Sequence, residues 1–198
     1  MKALEKLISQ FNLPSPSQRR EVLLNRMESD DLKKWDCKNC IGHCCTMISN
    51  SMKIDVLEAV DLYCYLLEKG MWNDKLKESL KETISTYRLD YEIVLSRGQE
   101  FRRTYTCPFY GGHNLGCSIS PSSKPYGCLA FNPDKKGVSE WGHCSSRSSL
   151  MEKREVEFGE DESKLIDYLC DELNLPTEKK PIPVALLNLE LAIKNYTF

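Results

Sequence analysis

Residues 37–45 read CKNCIGHCC, so four cysteines fall within nine positions. Their spacing is Cys37-x2-Cys40-x3-Cys44-Cys45, with neither a helical nor a strand period. A two-residue gap lets two thiolates bind one metal ion, because the intervening turn brings both sulfur atoms to the same side. The adjacent pair suits a polynuclear site, two neighbouring sites, or one ligand beside a thiol that does not bind. The stretch therefore predicts a metal-binding loop.

A second group of cysteines lies farther along the chain at wide intervals: Cys107, Cys117, Cys128 and Cys144. Residues 106–147 around them are rich in Gly, Pro, Ser and Asn and keep no regular period for long. Turn-forming residues beside cysteines are typical of a loop shaped around an ion. So long an irregular stretch in a compact domain needs something else to organise it. We expect a metal to do so, with the eight cysteines of the two segments as its candidate ligands.

The composition is that of a globular protein from a reducing compartment. The chain has 198 residues, 41% of them hydrophobic and 28% charged, with ten cysteines and a net charge of -2. This charge gives no reason to expect nucleic acid or an anionic membrane as the main partner. No apolar run approaches the roughly 20 residues that span a bilayer, and the first residues lack a secretory signal. We therefore expect a cytoplasmic protein, in which structural disulfides are rare.

The histidines and the two remaining cysteines follow different patterns. All three histidines, His43, His113 and His143, lie within the cysteine segments. Each is a candidate ligand, a neighbour that hydrogen-bonds to a ligand, or a solvent-exposed imidazole. Cys64 and Cys170 instead share helical faces with leucine and isoleucine, so we expect these two thiols to pack in the core.

Outside the cysteine segments, hydrophobic periodicity predicts helices. These are residues 2–11, a second helix capped by Ser17, about Val56 to Lys69, Asn73 to before Gly98, Glu162–Leu173 and Pro183–Asn195. Asp55 and Glu58 form a pair like a capping box before the third helix, and Gly70 is well placed to end it.

The predicted fold class is therefore mainly α: a small helical domain with two irregular, cysteine-rich metal-binding segments. We divide the chain into an N-terminal helical extension at residues 1–34 and a cysteine-cluster metal-binding domain at residues 35–147. Residues 148–198 complete it as C-terminal helices that pack on the same domain.

Four further motifs follow the first segment in order along the chain. They are Cys107-Pro108-Phe109, Leu115-Gly116-Cys117-Ser118-Ile119, Lys124-Pro125-Tyr126-Gly127-Cys128 and Phe131-Asn132-Pro133. With CKNCIGHCC, they resemble the YkgJ-like cysteine-cluster proteins, a family described as zinc- or iron-chelating domains. The resemblance covers about residues 35–145 and implies that the cysteines of both segments bind metal. Lys124 stands where the family usually has Arg, and Leu129 stands where Arg is common.

The CKNCIGHCC motif is also similar to that of flagellin lysine N-methylase-type proteins. This similarity implies an iron–sulfur centre linked to methyl transfer, and only the cysteine ligands carry over. The chain has no glycine-rich loop of the form G-x-G-x-x-G that would hold S-adenosylmethionine conventionally. The gaps of two then three residues also reverse those of the radical S-adenosylmethionine motif, so that chemistry is not assigned.

Two kinds of centre fit the eight cysteines. Four thiolates bind one [4Fe–4S] cluster, whereas eight could fill two tetrahedral zinc sites or share bridging sulfurs. Thiolate softness suits both metals. We favour an iron–sulfur cluster over zinc, because closely packed thiols from distant segments suit a cluster.

The expected function is metal binding, with methyl-transfer or redox chemistry as an option that the resemblance implies. The alternatives are a structural zinc-cluster module without catalytic activity and a metal-handling or sensing protein. A protein substrate or partner is compatible with each. No Ser-His-Asp arrangement or paired-carboxylate motif stands out, so the sequence names no catalytic residue.

Overall fold

The computed structural model describes residues 2–27, 42–91, 103–112, 115–133 and 144–196. In these ranges the chain is mainly α, which confirms the predicted fold class. The helices are α1 (Lys2–Ile8), α2 (Glu21–Met27), α3 (Val56–Glu68), α4 (Asp74–Tyr87), α5 (Tyr126–Ala130), α6 (Ser148–Leu173) and α7 (Ile182–Asn195). The strands are β1 (Lys53–Ile54), β2 (Phe131–Pro133), β3 (Cys144–Ser146) and β4 (Lys180–Pro181). Single 3-10 turns lie at Gln18–Arg20, His43–Cys45 and Pro121–Ser123.

Helix α3 is the centre of the main core. It packs against α6 and α7, and α4 packs against α7. The buried leucines of this core include Leu57, Leu62, Leu66, Leu165, Leu169 and Leu186. The helix is apolar on most of its surface, which is typical of a helix covered by neighbours on several sides.

A smaller apolar cluster joins α2 to the cysteine-bearing helix α5. Its buried members are Leu23, Tyr126, Leu129 and Ala130. Helix α2 contacts both α5 and α6, so the N-terminal segment packs directly beside the second cysteine segment. The proposed domain boundaries at residues 34 and 147 stay predictions.

Two antiparallel strand pairs fix where the long helices begin. Strand β1 pairs with β4, with Lys53 opposite Pro181 and Ile54 opposite Lys180. Because β1 leads into α3 and β4 leads into α7, this pair sets the two helices side by side. Strand β2 pairs with β3, with Phe131 opposite Ser146 and Pro133 opposite Cys144.

The predicted start and end of α3 are confirmed. The Glu58 backbone N–H donates to Asp55 Oδ1 at 2.9 Å, and the Asp55 N–H donates to Glu58 Oε2 at 3.4 Å, which completes the capping box. Gly70 follows the helix with a φ of 64°. Both signals are local, since each depends on residues within one turn of the helix end.

Helix α4 is shorter than predicted. It ends at Tyr87, because Arg88 takes a left-handed conformation with a φ of 53°. The Leu89 N–H then donates to the Ile84 carbonyl at 3.0 Å, and the Leu89 side chain is buried. The predicted continuation is therefore wrong for residues 88–91, and its remaining part lies outside the described residues.

The other helical predictions differ from the structure mainly at their N-terminal ends. Helix α6 begins at Ser148 rather than near Glu162, because charged residues such as Arg154 face inward and hide its apolar period. Ser17, the predicted cap of the second helix, makes no capping hydrogen bond, and α2 begins at Glu21. At its C-terminal end, α1 stops at Ile8 rather than at residue 11. Helix α7 matches its prediction, with Pro183 in its first turn.

No helix in the described ranges combines the length and the apolarity needed to cross a bilayer.

Candidate functional site

The described end of the first cysteine segment is a tight turn that begins at Gly42. Gly42 has a φ of 71°, and a Cβ at this position would overlap the Tyr110 ring. Both features favour glycine, because a side chain strains a left-handed backbone and would displace the Tyr110 ring. The Cys45 N–H donates to the Gly42 carbonyl at 2.8 Å. This turn presents Cys44 and Cys45, whose sulfur atoms lie 3.9 Å apart.

The second cysteine segment runs beside the first and is tied to it by backbone hydrogen bonds. The Cys107 N–H donates to the Cys45 carbonyl at 2.7 Å. The Tyr105 N–H donates to the Asn50 carbonyl at 2.9 Å, and Asn50 Nδ2 returns a bond to the Tyr105 carbonyl at 3.0 Å. These bonds place Cys107 next to Cys45, although 62 residues separate them along the chain (107 minus 45).

Tyr105 anchors this junction to the helical core. Its buried hydroxyl donates to the Met52 carbonyl at 2.7 Å and accepts from the Ile182 N–H at 3.2 Å. A buried tyrosine hydroxyl with a donor and an acceptor bond has a structural use. It fixes the residue before β1 and the first residue of α7 to the segment that carries Cys107.

A narrow loop brings Cys117 back to the same place. Tyr110 and Cys117 form an isolated antiparallel bridge, and the Gly111 N–H donates to the Gly116 carbonyl at 2.8 Å. The flanking side chains Phe109 and Ile119 are both buried in the main core. The loop is therefore closed at its base and held in position by apolar packing.

Cys128 enters from helix α5. The Cys128 N–H donates to the Pro125 carbonyl at 3.0 Å, which forms the first turn of this short helix. The expectation of irregular chain over residues 106–147 is wrong here, since α5, β2 and β3 are regular elements. A five-residue helix carries little amphipathic signal, so periodicity did not reveal it.

These elements surround one cavity of about 180 Å³. Five of the eight predicted ligands line it, namely Cys44, Cys45, Cys107, Cys117 and Cys128. The rest of its wall is Ser49, Asn50, Ser51, Met52, Lys53, Ile119, Lys124, Pro125, Phe131 and Ile182. Three separate stretches of chain thus bring their thiols to a common space.

The other predicted site residues divide into three groups. Cys37, Cys40, His113 and His143 lie outside the described residues, and only the backbone of Cys144 is described, in β3. His43 is half-buried at the 3-10 turn and is absent from the described lining of the cavity. Cys170 is buried in the main core, and Cys64 is half-buried against it.

The cysteine thiols affect one another's ionisation. Burial raises the pKa of Cys107 to about 12 and raises the pKa of Cys128 well above its usual value. The hydrogen bond between the Cys44 and Cys45 side chains lowers the pKa of Cys44 and raises the pKa of Cys45, because it favours a thiolate on Cys44 with the Cys45 thiol as donor. A buried thiolate is costly unless a positive charge compensates it. A metal ion supplies such a charge.

Lys124 also faces this cavity, and sequence reasoning did not single it out as a site residue. Its side chain is only 4% exposed. Its positive charge lowers the pKa of Cys44, although the hydrogen bond from Cys45 is the larger cause. Lysine is rarely buried to this extent, and a single sequence holds no local signal for it.

A network of buried ion pairs holds α5 in place from the opposite side. Arg19 makes two bonds to Asp61, at 2.7 and 2.9 Å, and one to Glu162 at 3.0 Å. Arg20 Nη1 donates to Asp61 Oδ2 at 2.8 Å, and Arg154 pairs with Glu162. All five side chains are buried.

Tyr126 connects this ion-pair network to the cavity. Its hydroxyl donates to Glu162 Oε1 at 2.8 Å, and the guanidinium groups of Arg20 and Arg154 lie over its ring. Its backbone N–H donates to Glu58 Oε1 at 2.8 Å. Tyr126 is two residues from Cys128, so the network fixes the helix that carries this thiol.

The thiols do not form a closed coordination sphere. Within the described residues, no three His, Cys, Asp or Glu side chains stand close enough together to hold one metal ion. The separation of 3.9 Å between Cys44 Sγ and Cys45 Sγ is near the ~3.8 Å between two thiolates on a tetrahedral ion with 2.3 Å bonds. Each described cysteine of the cavity is a free thiol, and rotation about χ1 moves its sulfur atom.

No protein-family model, no curated protein and no solved structure matches this chain. The resemblance to the cysteine-cluster family therefore stays a prediction from the motifs, and the function must be argued from the geometry of the site.

Proposed function

We propose that this chain is a metal-binding protein whose thiolates, drawn from two segments, hold an iron–sulfur cluster or zinc in the cysteine-lined cavity. The observation that carries the proposal is the convergence of five cysteines from three stretches of chain on one space of about 180 Å³. Buried cysteines that only pack are expected to scatter through the core, as Cys64 and Cys170 do.

The donor set fits such a centre chemically. Thiolate sulfur is the preferred ligand of both zinc and iron–sulfur clusters. Metal binding removes a proton from each coordinating thiol. The positive charge of the metal would stabilise the thiolates of Cys107 and Cys128, which burial otherwise disfavours. The sulfur atoms must rotate together on binding, so loading should rigidify the loops that carry them.

A polynuclear centre is the better match for the size of the site. A single ion needs no more room than one water molecule, which takes about 10–15 Å³ on the measure used for cavities, whereas the cavity holds about 180 Å³. Five thiols also exceed the four that one tetrahedral ion binds. Both points favour an iron–sulfur cluster, or zinc ions that share bridging sulfurs, over one isolated ion.

A structural zinc module is the second candidate. It is favoured by the loops that carry Cys44, Cys107 and Cys117, which have little regular secondary structure of their own. An all-thiolate zinc site contributes folding energy directly. In either case the thiols must stay reduced, so we propose that the protein works in a reducing compartment, the cytoplasm.

Anaerobic purification of the full chain, followed by elemental analysis and a visible spectrum, tests the proposal. We expect brown protein that contains iron and acid-labile sulfide in matching amounts. Colourless protein that retains zinc after purification from metal-replete cells would favour the structural module. Protein that holds neither metal, and takes up neither on reconstitution, would contradict both.

A further inference from the structure

We propose that the Met52 side chain closes the cysteine-lined cavity at helix α5 and thereby limits how fast a bound metal exchanges with solvent. The inference rests on the proposed metal centre and deepens it, because it assigns one residue to the control of metal exchange. Met52 acts here by its position and apolar bulk, and no bond between its sulfur atom and a metal is assigned.

The backbone of Met52 is held on both sides. Its N–H donates to Asn50 Oδ1 at 3.1 Å, and its carbonyl accepts from the buried Tyr105 hydroxyl at 2.7 Å. Asn50 is itself buried and donates to the Tyr105 carbonyl. These bonds join the chain that follows the first cysteine turn to the segment that carries Cys107. The Met52 side chain therefore starts from a fixed position.

From this position the side chain reaches helix α5, where Gly127 leaves room for it. A Cβ on Gly127 would lie 2.8 Å from Met52 Sδ and 2.7 Å from Met52 Cε, and real Cβ contacts almost never fall below 3.0 Å. Gly127 lies within a helix and does not share the positive φ of Gly42 or Gly70, and alanine has the higher helix propensity. The close approach of the Met52 thioether is therefore a physical reason for glycine at this position.

The same side chain forms part of the cavity wall beside Cys128. Met52 and Cys128 both line the cavity, and Cys128 directly follows Gly127. Met52, Gly127 and Cys128 are each half-buried, whereas the neighbouring Tyr126 and Leu129 are buried. Met52 thus crosses from the first cysteine segment to the side of α5 that borders solvent, and it stands between that solvent and the cavity.

An apolar side chain at this place should slow metal exchange. Exchange requires water or a chelator to reach the metal as the thiolates detach, and the hydrophobic shell around a metal site controls solvent access. Methionine has three rotatable side-chain bonds, so Met52 can leave its place and let metal enter. Removal of the side chain should therefore speed metal release while the cysteine ligands stay intact.

The test measures how fast metal leaves variants of Met52. Full-length protein is purified anaerobically with the metal it contains, an excess of EDTA is added, and the metal that remains on the desalted protein is measured over time. We expect Met52→Ala to release metal roughly 10 times faster than wild type. Met52→Leu keeps an apolar side chain of similar size and should stay within about threefold.

Gly127→Ala separates closure of the cavity from stability of the fold. The new methyl group takes the space of the Met52 thioether, so this variant should also release metal faster than wild type. Its higher helix propensity should keep the urea midpoint of the metal-free protein near that of wild type. The double variant should release metal no faster than Met52→Ala alone, because both substitutions remove the same contact.

Further variants keep the result interpretable. Met47→Ala is the matched control, since Met47 lies in the same segment and is 58% exposed, and it should release metal like wild type. Met52→Val serves the same comparison if Met52→Ala does not fold. If no variant releases metal faster than wild type, or only those with lower metal-free stability do, Met52 is a packing residue and the inference fails. Wild type that holds no metal, even after reconstitution, contradicts the metal centre itself.

Discussion

Two clusters of ionisable side chains contact helix α5, one fully buried and one mostly half-buried, and they balance their charges differently. The first is the ion-pair network, in which three arginines meet two carboxylates: Arg19, Arg20, Arg154, Asp61 and Glu162. The second is the cavity, where five thiols and Lys124 share one wall. In the network each carboxylate meets arginine side chains, whereas the described wall of the cavity combines thiols with Lys53 and Lys124.

This difference distinguishes the ion-pair network, which supports the fold, from the cavity, which is the candidate metal site. Hydrogen bonds from Arg154, Tyr126 and Arg19 overcome the effect of burial and lower the pKa of Glu162, so that this carboxylate stays charged in the network. Burial raises the pKa of Cys107 and Cys128, and the metal binding that we propose would displace their protons. Ion pairs within the chain hold the first cluster together, and we propose that the second binds a metal.

The largest expected effect comes from breaking the network at Asp61, which pairs with both Arg19 and Arg20. Asp61→Ala leaves these buried guanidinium groups without their shared carboxylate. We expect a loss of about 3–5 kcal/mol in the free energy of unfolding, measured by urea denaturation. Asp161→Ala, at an exposed position of α6, is the matched control and should change the free energy by less than about 0.5 kcal/mol. Equal effects of the two substitutions would show that the network does not stabilise the fold.

Gly42→Ala instead disturbs the turn that carries Cys44 and Cys45 at the cavity. We expect a loss of about 3 kcal/mol, because left-handed strain of about 1–2 kcal/mol adds to the overlap with the Tyr110 ring. Gly70→Ala isolates the strain, since Gly70 also has a positive φ but no atom near its Cβ position. Urea unfolding of both variants should show the Gly42 change to be larger by at least about 1 kcal/mol. Equal losses would contradict the close packing of Tyr110 against Gly42.

Cys117→Ser tests whether the cavity thiols act as ligands. We expect metal affinity to fall by roughly a hundredfold, about 2.7 kcal/mol, and soluble yield to fall with it, because metal binding and folding are coupled. Cys64→Ala is the control at a packing cysteine and should keep the metal content of wild type. Competition with a chelator measures the affinities. Wild-type stoichiometry and stability in Cys117→Ser would remove this residue from the ligand set.

Glu58 accepts a hydrogen bond from the first residue of α5, Tyr126. Its titration gives a test of burial beside this helix. Burial is the largest cause that raises its pKa, from 4.5 to about 7. The folded state therefore binds more protons than the unfolded state between these values, so the free energy of unfolding falls as pH rises through this window.

Glu58→Gln removes this titration and keeps an oxygen that accepts from the Tyr126 N–H. Between pH 5 and pH 7, metal-free wild type should lose about 2 kcal/mol relative to this variant. Urea unfolding at several pH values checks the difference. Parallel pH profiles for the two proteins would show that Glu58 titrates normally.

The fold follows from the sequence where the signals are local. The capping box of Asp55 and Glu58 and the stop at Gly70 are encoded within single turns, and both are predicted correctly. The end of α4 is not predictable in this way, because Arg88 adopts a left-handed conformation so that Leu89 can be buried. The first half of α6 is not predicted for a related reason. Arg154 is buried in the ion-pair network, although arginine in a sequence normally indicates a surface position.

In the candidate site, too, the residues with a local sequence signal are predicted and the residue placed by a long-range contact is not. Cysteine spacing predicts the set of thiols, and five of the eight line one cavity. The backbone carbonyl of Lys124 accepts a hydrogen bond from Arg20, which lies 104 residues away in the chain. Such a long-range contact leaves no pattern in a single sequence.

The most direct test of the central claim is X-ray absorption spectroscopy of anaerobically purified protein at the edge of the metal it contains. We expect a first shell made entirely or mainly of sulfur, at about 2.3 Å from the metal. For an iron–sulfur cluster, a metal–metal distance should accompany this shell. A first shell of nitrogen and oxygen alone, or a purified and reconstituted protein with no bound metal, would contradict the claim that these cysteines form a metal centre.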